Sequence, residues 1–286
     1  MSGVTYGRTR SADLAAPFHG VRVPADRVPP GTPERAIVQL AQDYAPRLRA
    51  GQYFCELTAL VLFGAPVPHS RENEGSVHIG AIHPASPPRA RGTRAHYSPV
   101  ARTFRANGLP VCSPIDAWVE CAGSVAVDEL VMLGDALVRR QDPLTTMDSL
   151  RAAVASAAGR TGAADRRAAM SLVRARTDSP METVLRLLLG RSDLPEPEVN
   201  PAVCSASGAF LGYADLMYPR WGVIVEYDGE HHFGLTQQRV DDLDRVDRFV
   251  RADYRVIQVH KEHLARDRAA VVARVRAALL ERGWHP

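Results

Sequence analysis

The sequence predicts a mixed α/β protein of the α+β kind, whose C-terminal part has the core order α-β-β-β-α-β. Three observations support this fold class. A capped, apolar helical stretch begins at Ser179. Short runs typical of strands follow it, and a second helical pattern separates the last run from those before it. A mixed N-terminal domain and a helical connector complete the predicted architecture.

The chain has 286 residues, which is enough for two domains of ordinary size. We predict a mixed α+β domain over 1–145, a helical connector over 146–178 and a further domain over 179–286. Within the first domain, Cys55–Phe63 and Asp128–Arg139 have helical character. The connector is expected to form two helices, because Gly159–Gly162 interrupts a stretch rich in alanine and arginine.

The C-terminal elements are predicted from caps, turns and side-chain periodicity. Ser179 is a helix N-cap, Pro180 takes the first helical position, and Glu182 follows the cap by three residues, which is a capping box. Turn residues separate the strands that follow. The predicted strands are Val199–Cys204, Phe210–Tyr218, Val223–Asp228 and Arg255–His260, and the later helices are Thr236–Ala252 and Glu262–Arg282.

The composition is that of an ordinary globular protein. The apolar content is 45% and the charged content 23%, and a net charge of +3 does not by itself indicate a nucleic-acid partner. The four cysteines form no CxxC pair, so we expect buried thiols in a reducing cytoplasm. No signal peptide or membrane span is expected. Lys261 is the only lysine among 35 basic residues, which indicates a bacterium with a GC-rich genome.

Two acidic residues are predicted to face each other across a strand hairpin. If the turn is centred on Arg220–Trp221, Asp215 lies opposite Glu226, with Cβ atoms about 5 Å apart. Because side chains alternate along a strand, Asp228 shares the face of Glu226. Like charges this close destabilise a sheet unless a cation is bound, and carboxylates without thiolates favour Mg²⁺ or Mn²⁺. We therefore predict that Asp215, Glu226 and Asp228 bind one of these metals.

These residues also have structural interpretations. Acidic side chains on a strand edge discourage aggregation, and a capping-box glutamate such as Glu182 needs no catalytic role. Arginines and aspartates alternate on the helix Thr236–Ala252, where they can form a solvated face of ion pairs. Arg245 lies one turn beyond two aspartates, so it either braces the carboxylates, which we favour, or touches a DNA phosphate. Arg239 is a second candidate for contact with DNA.

Three motifs stand out in the C-terminal part: Ser-Pro-Met-Glu at 179–182, Gly-Tyr-Ala-Asp at 212–215 and Val-Ile-Val-Glu-Tyr-Asp-Gly-Glu-His-His at 223–232. Together they resemble the DUF559 family, which is related to Vsr-like (very-short-patch-repair) endonucleases within the PD-(D/E)XK superfamily. The resemblance covers about 179–284 and implies a restriction-endonuclease-like fold and a metal-dependent nuclease. The site residues that it implies are Glu182, Asp215, Glu226 and Asp228 for the metal, and His232 for proton transfer.

The sequence departs from the superfamily pattern at one position. The usual E-x-K lysine would fall at 228, which is Asp228. DUF559-like and Vsr-like sequences commonly lack this lysine, so activity is not excluded. The attacking water would then be activated by the metal or by His232, because a histidine titrates near neutral pH. The alternative for His231 and His232 is a polar loop after Gly229.

A second resemblance rests on three N-terminal stretches: Arg10–Arg22, Leu57–Pro68 and Gly108–Asp116. They are similar, to a lesser degree, to AbiEi-type antitoxin and regulator proteins of actinobacteria, in which such a region often accompanies a DUF559 domain. The start of the chain has no clear helix-turn-helix, so direct DNA reading by this part is not expected. The resemblance leaves open a protein partner for the N-terminal domain.

Two functions follow from these observations. The first is a Mg²⁺- or Mn²⁺-dependent DNA endonuclease that hydrolyses phosphodiester bonds, in DNA repair, mobile-element or phage-defence biology. The second is a catalytically silent DNA-binding or antitoxin-like transcriptional regulator that retains a nuclease fold. The acidic group and His232 favour the first, and the missing lysine favours the second. DNA is the expected partner in either case, and no membrane partner is expected.

Overall fold

The computed structural model describes residues 11–97, 102–229 and 236–286, with the backbone alone described over 236–240. The chain divides into two compact units: the N-terminal unit extends to Leu137 and continues over Leu144–Ser171, and the C-terminal unit contains Val138–Pro143 and Leu172–Pro286. Most of the predicted connector 146–178 is therefore counted with the N-terminal unit. In the described part of the chain, every helix is too short or too polar to cross a membrane.

The N-terminal unit combines short strands with helices. In chain order, its elements are β1 (Leu14–Ala15), β2 (Val23–Pro24), α1 (Pro33–Tyr44), β3 (Gln52–Phe54), α2 (Glu56–Leu62), β4 (Val77–Ala81), β5 (Thr93–His96), β6 (Phe104–Ala106), β7 (Leu109–Val111), α3 (Pro114–Cys121), α4 (Val127–Leu137), α5 (Met147–Ser156) and α6 (Ala163–Leu172). Two of the predicted helices, now α2 and α4, are confirmed to within two residues at each end. The connector forms the two predicted helices, α5 and α6.

A five-stranded mixed sheet, ordered β5-β4-β3-β7-β6, forms the centre of this unit. β3 is antiparallel to β4 and parallel to β7, and β4 is parallel to β5. Helices α2 and α3 bury apolar side chains in the core, among them Leu60 and Trp118. The Trp118 indole N–H donates to the Leu130 carbonyl at 2.8 Å, which ties α3 to α4.

The C-terminal unit alternates helices with strands. In chain order, its elements are α7 (Pro180–Gly190), β8 (Glu198–Val199), β9 (Ala202–Cys204), β10 (Phe210–Tyr213), β11 (Leu216–Tyr218), β12 (Val223–Asp228), α8 (Thr236–Arg251), β13 (Arg255–His260), α9 (Lys261–Arg266) and α10 (Arg268–Glu281). A four-stranded mixed sheet, ordered β13-β12-β11-β8, forms its centre. β12 is antiparallel to β11 and parallel to β13, because helix α8 provides the crossover between parallel neighbours.

Helices cover both faces of this sheet. On one face, apolar side chains of α7 and α10 pack against the sheet, as Leu185 and Val275 do against Val225. On the other face, Phe249 of α8 packs against Ile224. The alternation of Val225 and Ile224 between the two cores matches the side-chain alternation predicted for this strand. The mixed α/β class is therefore confirmed.

The predicted hairpin register is also confirmed. β11 and β12 are antiparallel, and Leu216 pairs with Val225. The next residues along the hairpin are Asp215 and Glu226, which places their side chains at the same end of the sheet. β12 and β13 have the predicted bounds.

Two predicted strands are wrong as continuous elements. Phe210–Tyr218 breaks into β10 and β11, which belong to different sheets, and Val199–Cys204 breaks into β8 and β9. The reason is local: Pro201 has no N–H for the ladder, and Asn200 has a left-handed φ of 45°. A hydrogen bond joins the two interrupted segments: the N–H of Asn200, between β8 and β9, donates to the carbonyl of Asp215, between β10 and β11, at 3.0 Å.

The predicted closing helix, Glu262–Arg282, is also wrong as one element. It ends at Arg266 and restarts at Arg268. Asp267, between the two, has an extended backbone, and its side chain accepts from the Ala270 N–H at 2.9 Å. An aspartate N-cap therefore starts a new helix where periodicity alone predicts continuation.

Candidate functional site

Asp215 and Glu226 meet at the end of the β11–β12 hairpin. The Asp215 N–H donates to Glu226 Oε1 at 3.2 Å, and the Tyr227 N–H donates to Asp215 Oδ2 at 2.7 Å. Glu226 is buried and Asp215 is half-buried. Each carboxylate is therefore oriented by the backbone of the opposite strand.

Glu182 reaches the same site from α7. Its own N–H donates to Ser179 Oγ at 3.2 Å, as a capping box requires. Its carboxylate, however, accepts from the Asp178 N–H at 2.9 Å and from Asn200 Nδ2 at 2.6 Å. Glu182 is 4% exposed, which is rare for a glutamate whose only role is to cap a helix.

The three carboxylates have raised pKa values. Burial raises the pKa of Asp215 to about 7, and the negative charge of Glu226 adds to the effect. Burial, and then the charge of Asp215, raises the pKa of Glu182 to about 7. Burial also raises the pKa of Glu226, although the charge of Arg245 opposes it. The metal-free site therefore retains protons near neutral pH that a bound cation would displace.

Arg245 of α8 braces the site. Its Nη1 donates to Glu226 Oε2 at 2.6 Å and to the Tyr213 carbonyl at 2.8 Å, and its Nη2 lies 3.5 Å from Asp242 Oδ1. Its aliphatic stem lies close to Gly212, where an added Cβ would come within 3.0 Å of the stem. These contacts support the bracing role predicted for Arg245, and a contact between Arg245 and DNA stays a prediction.

Asp228 lies at the outer end of β12. Its side chain is about half-exposed, and its Oδ2 lies 3.3 Å from Nδ1 of His260 on the neighbouring strand. A strand advances about 3.3 Å per residue, so Asp228 is some 6–7 Å beyond Glu226 along the strand. The structure thus brings Asp215, Glu226 and Glu182 together, and leaves Asp228 at the mouth of the site.

Three other residues of interest lie outside what the structure describes. His231 and His232 fall between the described residues 229 and 236, and the side chain of Arg239 is not described. Their roles in proton transfer and in DNA contact stay predictions.

The site opens into a cleft of about 1130 Å³ within the C-terminal unit. Besides the carboxylates, its walls include Arg140, Tyr213 and Phe210. The Arg140 guanidinium lies over the Tyr213 ring, 4.3 Å from its centroid, and Arg140 Nε donates to Asp178 at 2.8 Å. Phe210 packs edge-on against Tyr213 and is 59% exposed. The cleft therefore combines acids at its base with exposed aromatic rings and a guanidinium on its wall.

The donor set suits a hard divalent cation in its chemistry and charge. Among the described residues, Arg245 forms an ion pair with Glu226. One guanidinium does not balance three carboxylates, so an excess of negative charge remains when Glu182, Asp215 and Glu226 all ionise. Oxygen donors of this kind are ligands for Mg²⁺ and Mn²⁺. No three of these carboxylates, Asp228 included, have oxygens all within 4.8 Å of one another in the described part of the chain. Binding would therefore draw the carboxylates closer.

Sequence reasoning missed Asn200 and Arg140. Asn200 links the site, since its side chain binds Glu182 and its backbone N–H binds Asp215. The Asn-Pro pair was a signal for it, because such a pair commonly ends a strand. Arg140 is 75 positions before Asp215 in the sequence, and no local pattern links the two.

No family model, curated protein or solved structure matches the chain.

Proposed function

We propose that the C-terminal unit is a Mg²⁺- or Mn²⁺-dependent DNA endonuclease that hydrolyses phosphodiester bonds. The observation that supports this best is the meeting of Asp215, Glu226 and the buried Glu182 at the base of one cleft. The four-stranded sheet keeps the order α-β-β-β-α-β through α7, β8, β11, β12, α8 and β13. This order and the hairpin register are consistent with the PD-(D/E)XK superfamily, which the sequence resembles. A role in repair, mobile-element or phage-defence biology, in the cytoplasm, belongs to the same proposal.

Asp215 and Glu226 would hold the metal with Glu182 beside them, and Asp228 would reach it from the mouth of the site. When bound, such an ion lowers the pKa of water and stabilises negative charge on a phosphate under attack. Backbone N–H groups orient the carboxylates of Asp215 and Glu226, and Arg245 limits the rotation of Glu226. Once metal binding has drawn the carboxylates closer, ligands oriented in this way would reduce the reorganisation needed during the reaction.

Glu182 is suited to move a proton. Without a metal, burial and the charge of Asp215 raise the pKa of Glu182 to about 7. A cation bound beside it would release the proton and leave a carboxylate that can accept one from water. The Asp178 N–H and the Asn200 amide orient its carboxylate from two sides. His232, which the family resemblance implies for proton transfer, is the alternative group for this step.

The cleft wall is suited to nucleic acid. Exposed aromatic rings such as Tyr213 and Phe210 can stack on bases, and guanidinium groups such as that of Arg140 can pair with phosphates. Arg140 is already held by Asp178 and by the Tyr213 ring, so it is oriented before DNA arrives. Contacts to phosphates predict that DNA binding weakens as salt concentration rises.

A second function is favoured by a specific observation. Arg245 binds Glu226, and Asp228 stands where the superfamily has its lysine. These features fit a catalytically silent DNA-binding or antitoxin-like regulator, in which Arg245 takes the place of the metal. In that case the N-terminal unit would supply a contact to a protein partner.

Plasmid cleavage separates the two functions. The purified full chain is incubated with supercoiled plasmid in Mg²⁺, in Mn²⁺ and in EDTA, and binding to a labelled duplex is followed by gel shift in EDTA. The nuclease predicts nicked or linear plasmid only with metal. Binding without cleavage of single-stranded, duplex, mismatched or branched DNA would favour the regulator.

A further inference from the structure

Three metal-ligating side chains converge in the N-terminal unit: Glu56, His78 and His96. His78 Nδ1 contacts Glu56 Oε2 and lies 3.0 Å from His96 Nε2. One ligand atom from each of the three residues lies within 4.8 Å of the other two. The two imidazole rings are stacked, with centroids 5.0 Å apart. Glu56 and His78 are buried, and His96 is partly exposed, so one side of the cluster faces solvent.

The fold brings these residues together from three elements. Glu56 begins α2, His78 lies within β4, and His96 ends β5. The Cys55 N–H donates to the His78 carbonyl at 3.1 Å, and the His78 N–H donates to Thr58 Oγ1 at 3.0 Å. These bonds join β4 to the start of α2. They hold Glu56 at a left-handed φ of 49°, an uncommon conformation for this residue type.

Hydrogen bonds within the described structure do not provide partners for all the polar side-chain atoms of this cluster. The Nδ1 of His78 carries at most one proton, so it cannot donate to Glu56 and to His96 at the same time. The Nε2 of His78 is buried and makes no hydrogen bond within the described structure, although the side chain is only 3% exposed. A cation at the centre would accept one lone pair from each of the three converging atoms.

We propose that Glu56, His78 and His96 form a zinc-binding site in the N-terminal unit. Imidazole nitrogens and a carboxylate oxygen are common zinc ligands, and three protein ligands leave a fourth position open for water or another small ligand. Histidine ligands distinguish this site from the all-carboxylate group of the C-terminal unit, which suits Mg²⁺ or Mn²⁺. The zinc site is independent of the proposed nuclease activity.

Glu74 is placed to support the site from outside. Its Oε2 lies 4.0 Å from His78 Nε2, on the side of the ring away from Glu56. A carboxylate facing the second nitrogen of a metal-bound histidine fixes the tautomer and the ring orientation. Arg71 and Arg94 hold the Glu74 carboxylate, at 3.0 Å and 3.1 Å. Glu74 is therefore a positioning residue for His78.

The cluster can also be read as a protonated network. Burial lowers the pKa of His78, but the nearby carboxylates of Glu56 and Glu74 raise it overall. A proton on His78 would then stand where the metal would bind, and no metal would be needed. Metal-binding measurements distinguish these interpretations.

The test treats the full chain with a chelator to remove bound metal, and then titrates it with zinc while calorimetry measures the zinc affinity. His96→Gln is compared with His69→Gln, which makes the same change at an exposed histidine. We expect wild type and His69→Gln to bind one zinc ion tightly, and His96→Gln to bind it more than about 100-fold more weakly. Glu74→Gln should weaken binding about 10–100-fold. Equal zinc affinity in His96→Gln and His69→Gln, or no tight zinc binding by wild type, would overturn the proposal.

A second measurement applies even if His96→Gln fails to fold. The Asp215→Asn variant, which alters the carboxylate group of the C-terminal unit, is loaded with one equivalent of Zn²⁺ for X-ray absorption at the zinc edge. Two imidazole ligands are expected. A shell of oxygen alone, or one containing sulfur, would contradict the site. Because this variant keeps all three proposed zinc ligands, the result does not depend on nuclease activity.

Discussion

At the scale of single residues, Arg245 neutralises part of a buried negative charge. Its removal leaves Glu226 buried without its cationic partner, and hydrogen bonds to charged groups contribute about 1.5–3 kcal/mol. We expect Arg245→Ala to lower the free energy of unfolding by about 2 kcal/mol in urea titrations. Arg251→Ala, on the same helix but in an exposed ion pair with Asp247, should cost under about 1 kcal/mol. Equal losses would show that Arg245 does not brace the site.

The raised pKa values of the acids predict a pH dependence of stability. Asp215 and Glu182 have pKa values of about 7 in the folded chain and about 4 when unfolded, so the folded state binds more protons between these values. Stability of the metal-free protein should therefore fall as pH rises from about 4 to about 7. Asp215→Asn keeps an oxygen for the Tyr227 N–H and should reduce this fall by on the order of 2 kcal/mol. Urea titrations at pH 5 and pH 7.5 measure the fall in stability. The control is Asp253→Asn, which changes an exposed aspartate. A fall of the same size in Asp215→Asn and Asp253→Asn would show that Asp215 does not cause this pH dependence.

At the scale of elements, the break at Asn200 determines how α7 meets the hairpin. Asn200→Gly permits the left-handed φ and removes only the side-chain bond to Glu182, so we expect a loss of about 1.5–3 kcal/mol. Asn200→Ala loses the same bond and also strains the backbone, which adds about 1–2 kcal/mol. The midpoints of urea unfolding compare the two variants. If the alanine variant is as stable as the glycine variant, the break is not held by backbone conformation.

Strand and helix patterns predicted much of the C-terminal unit. Side-chain alternation and one tight turn predict the bounds of β12 and β13. They also predict the hairpin register, which places Asp215 beside Glu226. The breaks at Asn200 and at Asp267 did not follow, because a single residue that bonds locally can interrupt a pattern that otherwise continues. Local sequence patterns could not predict the residues of the cleft wall, because Arg140 is distant in the sequence and joins the wall only through the tertiary fold. The Glu56, His78 and His96 cluster has no short spacing to reveal it.

At the scale of the whole molecule, the melting temperature of the chain should report metal binding by the carboxylates of the C-terminal unit. A ligand that binds only the folded state raises its melting temperature by mass action. Mn²⁺ should raise the melting temperature of wild type, and Asp215→Asn should lose most of that shift because it removes one ligand charge. Differential scanning fluorimetry over a Mn²⁺ series measures this, with Asp253→Asn as the control. An identical response in wild type and Asp215→Asn would exclude the carboxylates as the metal site.

The central claim is that the C-terminal unit hydrolyses DNA with a metal ion that its carboxylates bind. Glu226 tests this claim most directly. Glu226→Gln removes a metal ligand but leaves Arg140 and Tyr213 on the cleft wall. The matched control is Glu281→Gln, an exposed glutamate of the same unit. We measure plasmid cleavage in Mn²⁺ and duplex binding in EDTA for both variants. The account predicts that Glu226→Gln slows cleavage by more than about 100-fold, since a metal contributes several kcal/mol to the transition state, and binds DNA as the control does. Cleavage by Glu226→Gln at the rate of Glu281→Gln would contradict it.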